Sequence, residues 1–198
     1  MTDAVRLQRT AHHEAAHAVA DLVFGHRPQL VSIRPTDRYN GVCQSDIGPR
    51  PDGFRAERSV PQQPADLRAR VEADVISMLA GPIAGDAFWP ETGYYAAHPD
   101  AVAAEQMIAR LEPRYRELLS DLETEPDHLP SDHEKATEIT HAFAGPSQAT
   151  AYYAWLRSVA HELVTEYARQ IHAVAEALLE RTVLTGEELA VIVRGNSR

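Results

Sequence analysis

Cysteine is almost missing: Cys43 is the only one in the chain. That excludes an intrachain disulfide framework and any cysteine-rich zinc finger or iron–sulfur site. It also fits a reducing compartment. Positive charge is scarce, with 19 Lys and Arg against 29 Asp and Glu, a net charge of -10. An acidic chain lacks the broad basic face that nucleic-acid phosphates need, so no nucleic-acid partner is expected. No apolar run approaches the roughly 18–20 residues that span a bilayer. The N-terminus has charges and histidines where a signal peptide would carry an apolar segment. The expectation is a cytoplasmic protein with no membrane segment.

What the chain has in excess is histidine, 10 in 198 residues, the commonest metal ligand among side chains. A hydrophobic fraction of 44% is enough to bury a core, and the length favours a single domain over 1–198. Residues 3–24 read as a helix, uninterrupted by Pro or Gly, with Gly25 at its end. Residues 29–34 and 41–46 read as a pair of short strands, and 47–64 as a loop rich in Pro, Arg and Gly. Helix returns at 65–80, where Gly81-Pro82 should break it before about two more turns. Further helices are expected at 98–111 and 113–122. Residues 125–147, with three prolines and several acids, read as a surface excursion around one short helix. From 148 to 182 the pattern is helical again, with a long apolar seam (Leu156, Val159, Leu163, Tyr167, Ile171, Val174, Leu178) expected to pack inward. Thr185-Gly-Glu-Glu caps a last helix to about Val193.

The chemistry concentrates in His13-Glu14-Ala15-Ala16-His17, an H-E-x-x-H. On a helix, residues four apart share a face, with Cβ atoms about 5–6 Å apart, so both imidazoles reach one Zn²⁺. Glu14 lies about 100° round the helix, flanks the metal and is placed to take a proton from water. The composition yields roughly 0.04 chance occurrences of this pattern in a chain of this length. His12 falls on another face and reads as a neighbour of the site or a surface residue. A zinc site needs a third protein ligand. By residue type the candidates include Glu72, Asp74, Asp86, Glu91, His98, Asp100 and Glu105, and spacing does not choose among them. The long motif with a third His six residues on is absent, because residue 23 is Val.

Several segments, in order, resemble the peptidase domain of the FtsH-type ATP-dependent zinc proteases, peptidase family M41. AHHEAAHAVA resembles its motif helix, and VSIRP with GVCQSD its strand pair beside the active site. ISMLAGPIAGDAFW is similar to its Ala-rich helix, and TGYYAAHPDAVAAEQMIARL to a segment in which an Asp opens a helix. YARQIHAVAEALLERTVLTGEELAVIV resembles its closing helices. The resemblance implies a mainly α fold: a helical zincin-like peptidase domain with a small two- to three-stranded β-sheet beside the H-E-x-x-H helix. It implies Zn²⁺ held by His13, His17 and Asp100, and Glu14 as the catalytic glutamate. The activity implied is that of a metalloendopeptidase hydrolysing peptide bonds of a polypeptide substrate through a metal-activated water. Strand 41–46 would then be an edge that takes up substrate as an added strand.

The chain departs from that family at Ala16, usually Gly, and at Gly85-Asp86, usually Glu-Glu. The sequence contains no G-x-x-x-x-G-K-[ST] phosphate loop. A separate ATPase or a homo-oligomer is therefore open as a partner. The alternative function is a catalytically silent, zinc-stabilised binding or regulatory module on the same fold. A regulatory protease that cleaves a repressor under stress shares the motif, but the C-terminal half does not suggest it. Cys43 reads as a small half-buried residue rather than a ligand.

Overall fold

The computed structural model describes residues 3–35, 40–45, 60–88 and 131–196. Within them the chain is mainly helical with one small antiparallel sheet, as the sequence leads one to expect. Helix α1 spans Asp3–Val23 and ends at Gly25, whose φ of 79° is the left-handed C-terminal turn that glycine tolerates best. Strands β1 (Pro28–Ser32) and β2 (Val42–Ser45) follow. After a 3₁₀ turn at Val60–Gln62 comes α2, Ala65–Ala87. Then come α3 (Asp132–Ala144), α4 (Pro146–Glu166) and α5 (Ala168–Arg181). Strand β3 (Val183–Thr185) and helix α6 (Gly186–Gly195) complete the order. No helix among the described residues is long and apolar enough to cross a membrane. The helices expected at 98–111 and 113–122 lie outside the described residues.

Helix α1 is the centre of the molecule. Ala11, Ala15, Ala16, Ala18, Val19 and Ala20 are all fully buried. Small side chains on several faces let neighbours close in from more than one side, and α1 packs most heavily on α2 and α5. The methyl of Ala16 is accommodated with no exposed surface. Around α1 the main core draws residues from every described helix and from β1 and β3.

Two expectations change in three dimensions, and two others are sharpened. Pro82 does not end α2, which runs on to Ala87 with Gly81, Ile83, Ala84 and Gly85 buried. Packing of that last stretch outweighs the missing N–H of one proline. The segment expected as a surface excursion contains α3, which buries Ala136, Thr137, Thr140, Phe143 and Ala144, so residues 131–144 belong to the packed body. Residues 125–130 lie outside the described residues. The helical stretch expected over 148–182 is divided into two helices that meet at Tyr167, which leaves the helical region at φ -98°, ψ 17°. The seam itself packs inward as expected: Leu156, Ile171, Val174 and Leu178 are fully buried. A third strand, β3, pairs with β1 opposite β2, giving the order β2-β1-β3 with Val31 between Cys43 and Leu184. Thr182, at φ 64°, turns the chain from α5 into β3.

Candidate metal centre

One face of α1 presents His13 and His17, and the structure brings their Nε2 atoms to 3.1 Å of each other. A carboxylate completes the group. Asp132 Oδ2 lies 3.0 Å from His13 Nε2 and 3.3 Å from His17 Nε2. These three residues are the one group among the described residues with the mutual distances of a metal site. Three donor atoms with edges of 3.0–3.3 Å resemble one face of a tetrahedron. Ligand bonds of about 2.0–2.1 Å at tetrahedral angles give edges of about 3.3 Å. Two imidazoles and one carboxylate are also a donor set that zinc accepts, and the residues present fit the ion. The side chains of His13 and Asp132 keep 28% and 25% of their surface exposed, so the group can be reached from outside.

Two of the three side chains, His17 and Asp132, are held by different local devices. The Nδ1–H of His17 donates to the Ser77 carbonyl of α2 at 2.8 Å. This turns Nε2 toward the group and fixes the ring. The ring occupies the space in front of Gly81, where a Cβ would overlap it. Asp132 is the first residue of α3, behind Ser131. The Ser131 hydroxyl accepts from the Glu134 backbone N–H while the Glu134 carboxylate accepts from the Ser131 N–H, a reciprocal cap. A helix N-terminus suits an anion at that position.

Burial alone would disfavour the charges in this group, and the partners outweigh it. Asp132 is desolvated, yet hydrogen bonds from His13 and His17 and their positive charge hold its carboxyl well below the usual range. His17 is desolvated too, but the Asp132 hydrogen bond and charge, Glu14 and the Ser77 carbonyl raise it to about 9. Glu14 is 6% exposed, and burial pushes its carboxyl upward against the lowering influence of His13 and His17. Gly41, just before β2, makes room for it: a Cβ there would come within 2.7 Å of Glu14 Oε1.

A second hydrogen-bonded group lies one turn further along α1. The buried carboxylate of Asp21 accepts from the hydroxyls of Ser77, at 2.6 Å, and Ser45. His26 Nδ1 lies 3.4 Å from it. Cys43 is half-buried beside this carboxylate. Desolvation and the Asp21 charge push its thiol upward.

Of the other carboxylates that residue type made eligible, three have partners elsewhere. Asp86 accepts from Arg9 at 2.7 Å, Glu72 accepts from the Tyr152 hydroxyl at 2.6 Å, and Asp74 lies 3.8 Å from His26 Nε2. Asp100, the ligand that the family resemblance implied, lies outside the described residues, as do Glu91, His98 and Glu105. Among the described residues the acid that the fold brings to His13 and His17 is Asp132, which the sequence did not single out. A signal was present: Ser131-Asp-His-Glu is a capping-box pattern with an Asp at the first helical position. His12 is not a surface residue. It is 5% exposed, and burial pushes its ring toward the neutral form. Compared with models of known protein families and with curated proteins, the chain matches none.

Proposed function

We propose that this protein is a zinc-dependent metalloendopeptidase whose metal is held by His13, His17 and Asp132, with Glu14 as general base. The observation that carries the reading is the convergence of His13 Nε2, His17 Nε2 and Asp132 Oδ2 within 3.0–3.3 Å, next to a buried glutamate of the same helix. Bound zinc supplies Lewis-acid polarisation of the substrate carbonyl and lowers the pKa of water to about 7. The chain's own residues do the rest. Ser77 and Gly81 set the His17 ring. The cap on α3 presents Asp132. Glu14, its carboxyl raised by burial, takes the proton of the attacking water and passes it to the leaving amine.

The sheet supports a polypeptide as substrate. Among the described residues β2 pairs only with β1, and Gly41 at its start lies against Glu14. An extended peptide added along the other edge of β2 would run past the general base, held by backbone hydrogen bonds.

The test is zinc content together with cleavage of an unstructured polypeptide. The wild-type chain should bind one zinc tightly and cut the peptide. Glu14→Gln should keep the zinc and lose about 10²–10⁴-fold in rate. A wild-type chain that cannot be loaded with zinc, or a Glu14→Gln chain that cuts as fast as wild type, overturns the reading. Tight zinc with no cleavage would favour the silent binding module instead.

A further inference from the structure

His12 shares α1 with the metal centre but faces the opposite way, toward α5. Its Nδ1 lies 2.9 Å from the Gln8 carbonyl oxygen. A carbonyl only accepts, so Nδ1 carries the hydrogen and Nε2 faces outward. Across from it stands His172 of α5, with Nδ1 3.2 Å from His12 Nε2. The far nitrogen of His172, Nε2, lies 3.4 Å from the carboxylate of Glu176, one turn along the same helix. Each ring thus has its outer nitrogen turned to an oxygen acceptor, and the two inner nitrogens converge.

That pattern has a chemical consequence. With both outer nitrogens donating, two neutral rings would point lone pairs at each other across 3.2 Å. The two inner nitrogens are then joined either by a hydrogen, as when His172 carries its proton on Nδ1, or by a metal ion. Metal-bound histidines characteristically give their second N–H to a carbonyl or carboxylate; Gln8 supplies the carbonyl for His12, and Glu176 stands within 3.4 Å of His172 Nε2. The inner nitrogens are spaced as two neighbouring ligands of one ion with bonds of about 2.0–2.1 Å. Phe88 stacks on His12 at 4.7 Å and lies 6.3 Å from His172, which covers one side with an apolar ring. His172 and Glu176 keep 54% and 65% of their side-chain surface exposed, so an ion can enter and keep water ligands.

The geometry points to a second transition-metal site, formed by His12 Nε2 and His172 Nδ1, for an imidazole-preferring divalent ion such as Zn²⁺, Cu²⁺ or Ni²⁺. It is separate from the His13, His17 and Asp132 group and does not depend on peptidase activity. With two protein ligands it binds more weakly than the three-ligand group. Its occupancy clamps the motif helix α1 to α5, so it fills and stabilises the fold only when metal is in excess.

The experiment titrates Zn²⁺ calorimetrically into the full chain stripped of metal by a chelator, and repeats it with His172→Ala and Glu176→Gln. Both substitutions are on the exposed side of α5. Wild type should show a weak binding event besides any tight one. His172→Ala should abolish the weak event, and Glu176→Gln should weaken it about tenfold, with the tight event unchanged in both. A rise in melting temperature at excess Zn²⁺ should likewise be lost in His172→Ala. No weak event in wild type, or a weak event that His172→Ala leaves intact, overturns the proposal. Loss of the tight event alone counts against the peptidase reading and leaves this site standing.

Discussion

The imidazole of His17 lies where a side chain on Gly81 would have to be, and its Nδ1–H is bound to the Ser77 carbonyl one turn earlier on the same helix. The two contacts make α2 the cradle of an imidazole carried by α1. They also turn a glycine in mid-helix, otherwise a cost of about 1 kcal/mol, into a requirement.

Gly81→Ala should therefore displace the His17 ring. Zinc affinity should fall by at least tenfold, and the fold should lose about 1–3 kcal/mol from overpacking. Gly85→Ala is the control. Its new methyl would meet the His13 Cβ at 3.5 Å, an ordinary contact, so the substitution should be neutral or stabilise by up to about 1 kcal/mol. Chelator competition and thermal unfolding read both outcomes.

Asp132→Asn keeps the shape of the proposed third ligand and removes its charge. Zinc affinity should drop by about two orders of magnitude while the helical circular dichroism signal is retained. Ser131→Ala removes the cap that starts α3 and should cost about 1 kcal/mol of stability, with a smaller loss of affinity. Metal titration of the two variants side by side separates charge from placement. Wild-type affinity in Asp132→Asn would show that this acid is not a ligand.

Protons and metal compete for the same nitrogens. In the metal-free chain His17 is raised from its ordinary value to about 9. A raised pKa contributes stability that is complete below about 6.5 and is lost as pH climbs through 9. The lowered carboxyl of Asp132 contributes stability above its ordinary value, which is lost on acidification. Metal-free stability from this pair should thus peak in mildly acidic solution and fall toward pH 9. Zinc affinity should move the other way and rise over the same interval, as binding has to expel the His17 proton. Urea unfolding of the metal-free chain and zinc titrations from pH 6 to 9 check both slopes.

Tyr152→Phe tests a contact remote from the metal. The Tyr152 hydroxyl donates to Glu72 at 2.6 Å and ties α4 to α2. Its loss should cost about 1 kcal/mol and leave zinc affinity unchanged. A change in affinity would mean that the seating of α2 under His17 depends on α4.

The residues themselves carried the two histidines, the glutamate and the helix that orders them, because a spacing of four is a local property of one helix. The same holds for the Thr185 capping box and for the strand pair after α1, each written within a few residues. The arrival of Asp132 beside the two histidines was not legible in this way. Asp132 is 119 residues from His13, and nothing in the spacing of the chain distinguishes it from the other acids. Its selection rests on α3 packing against α2 and on a cap that aims its first residue at α1. The continuation of α2 through Pro82 and the division at Tyr167 are likewise decisions of packing, where buried surface on neighbouring helices outweighs a local preference. His12 shows the same limit. Its place in the chain set it on another face from His13, but only the arrival of His172 from α5 made it half of a converging pair.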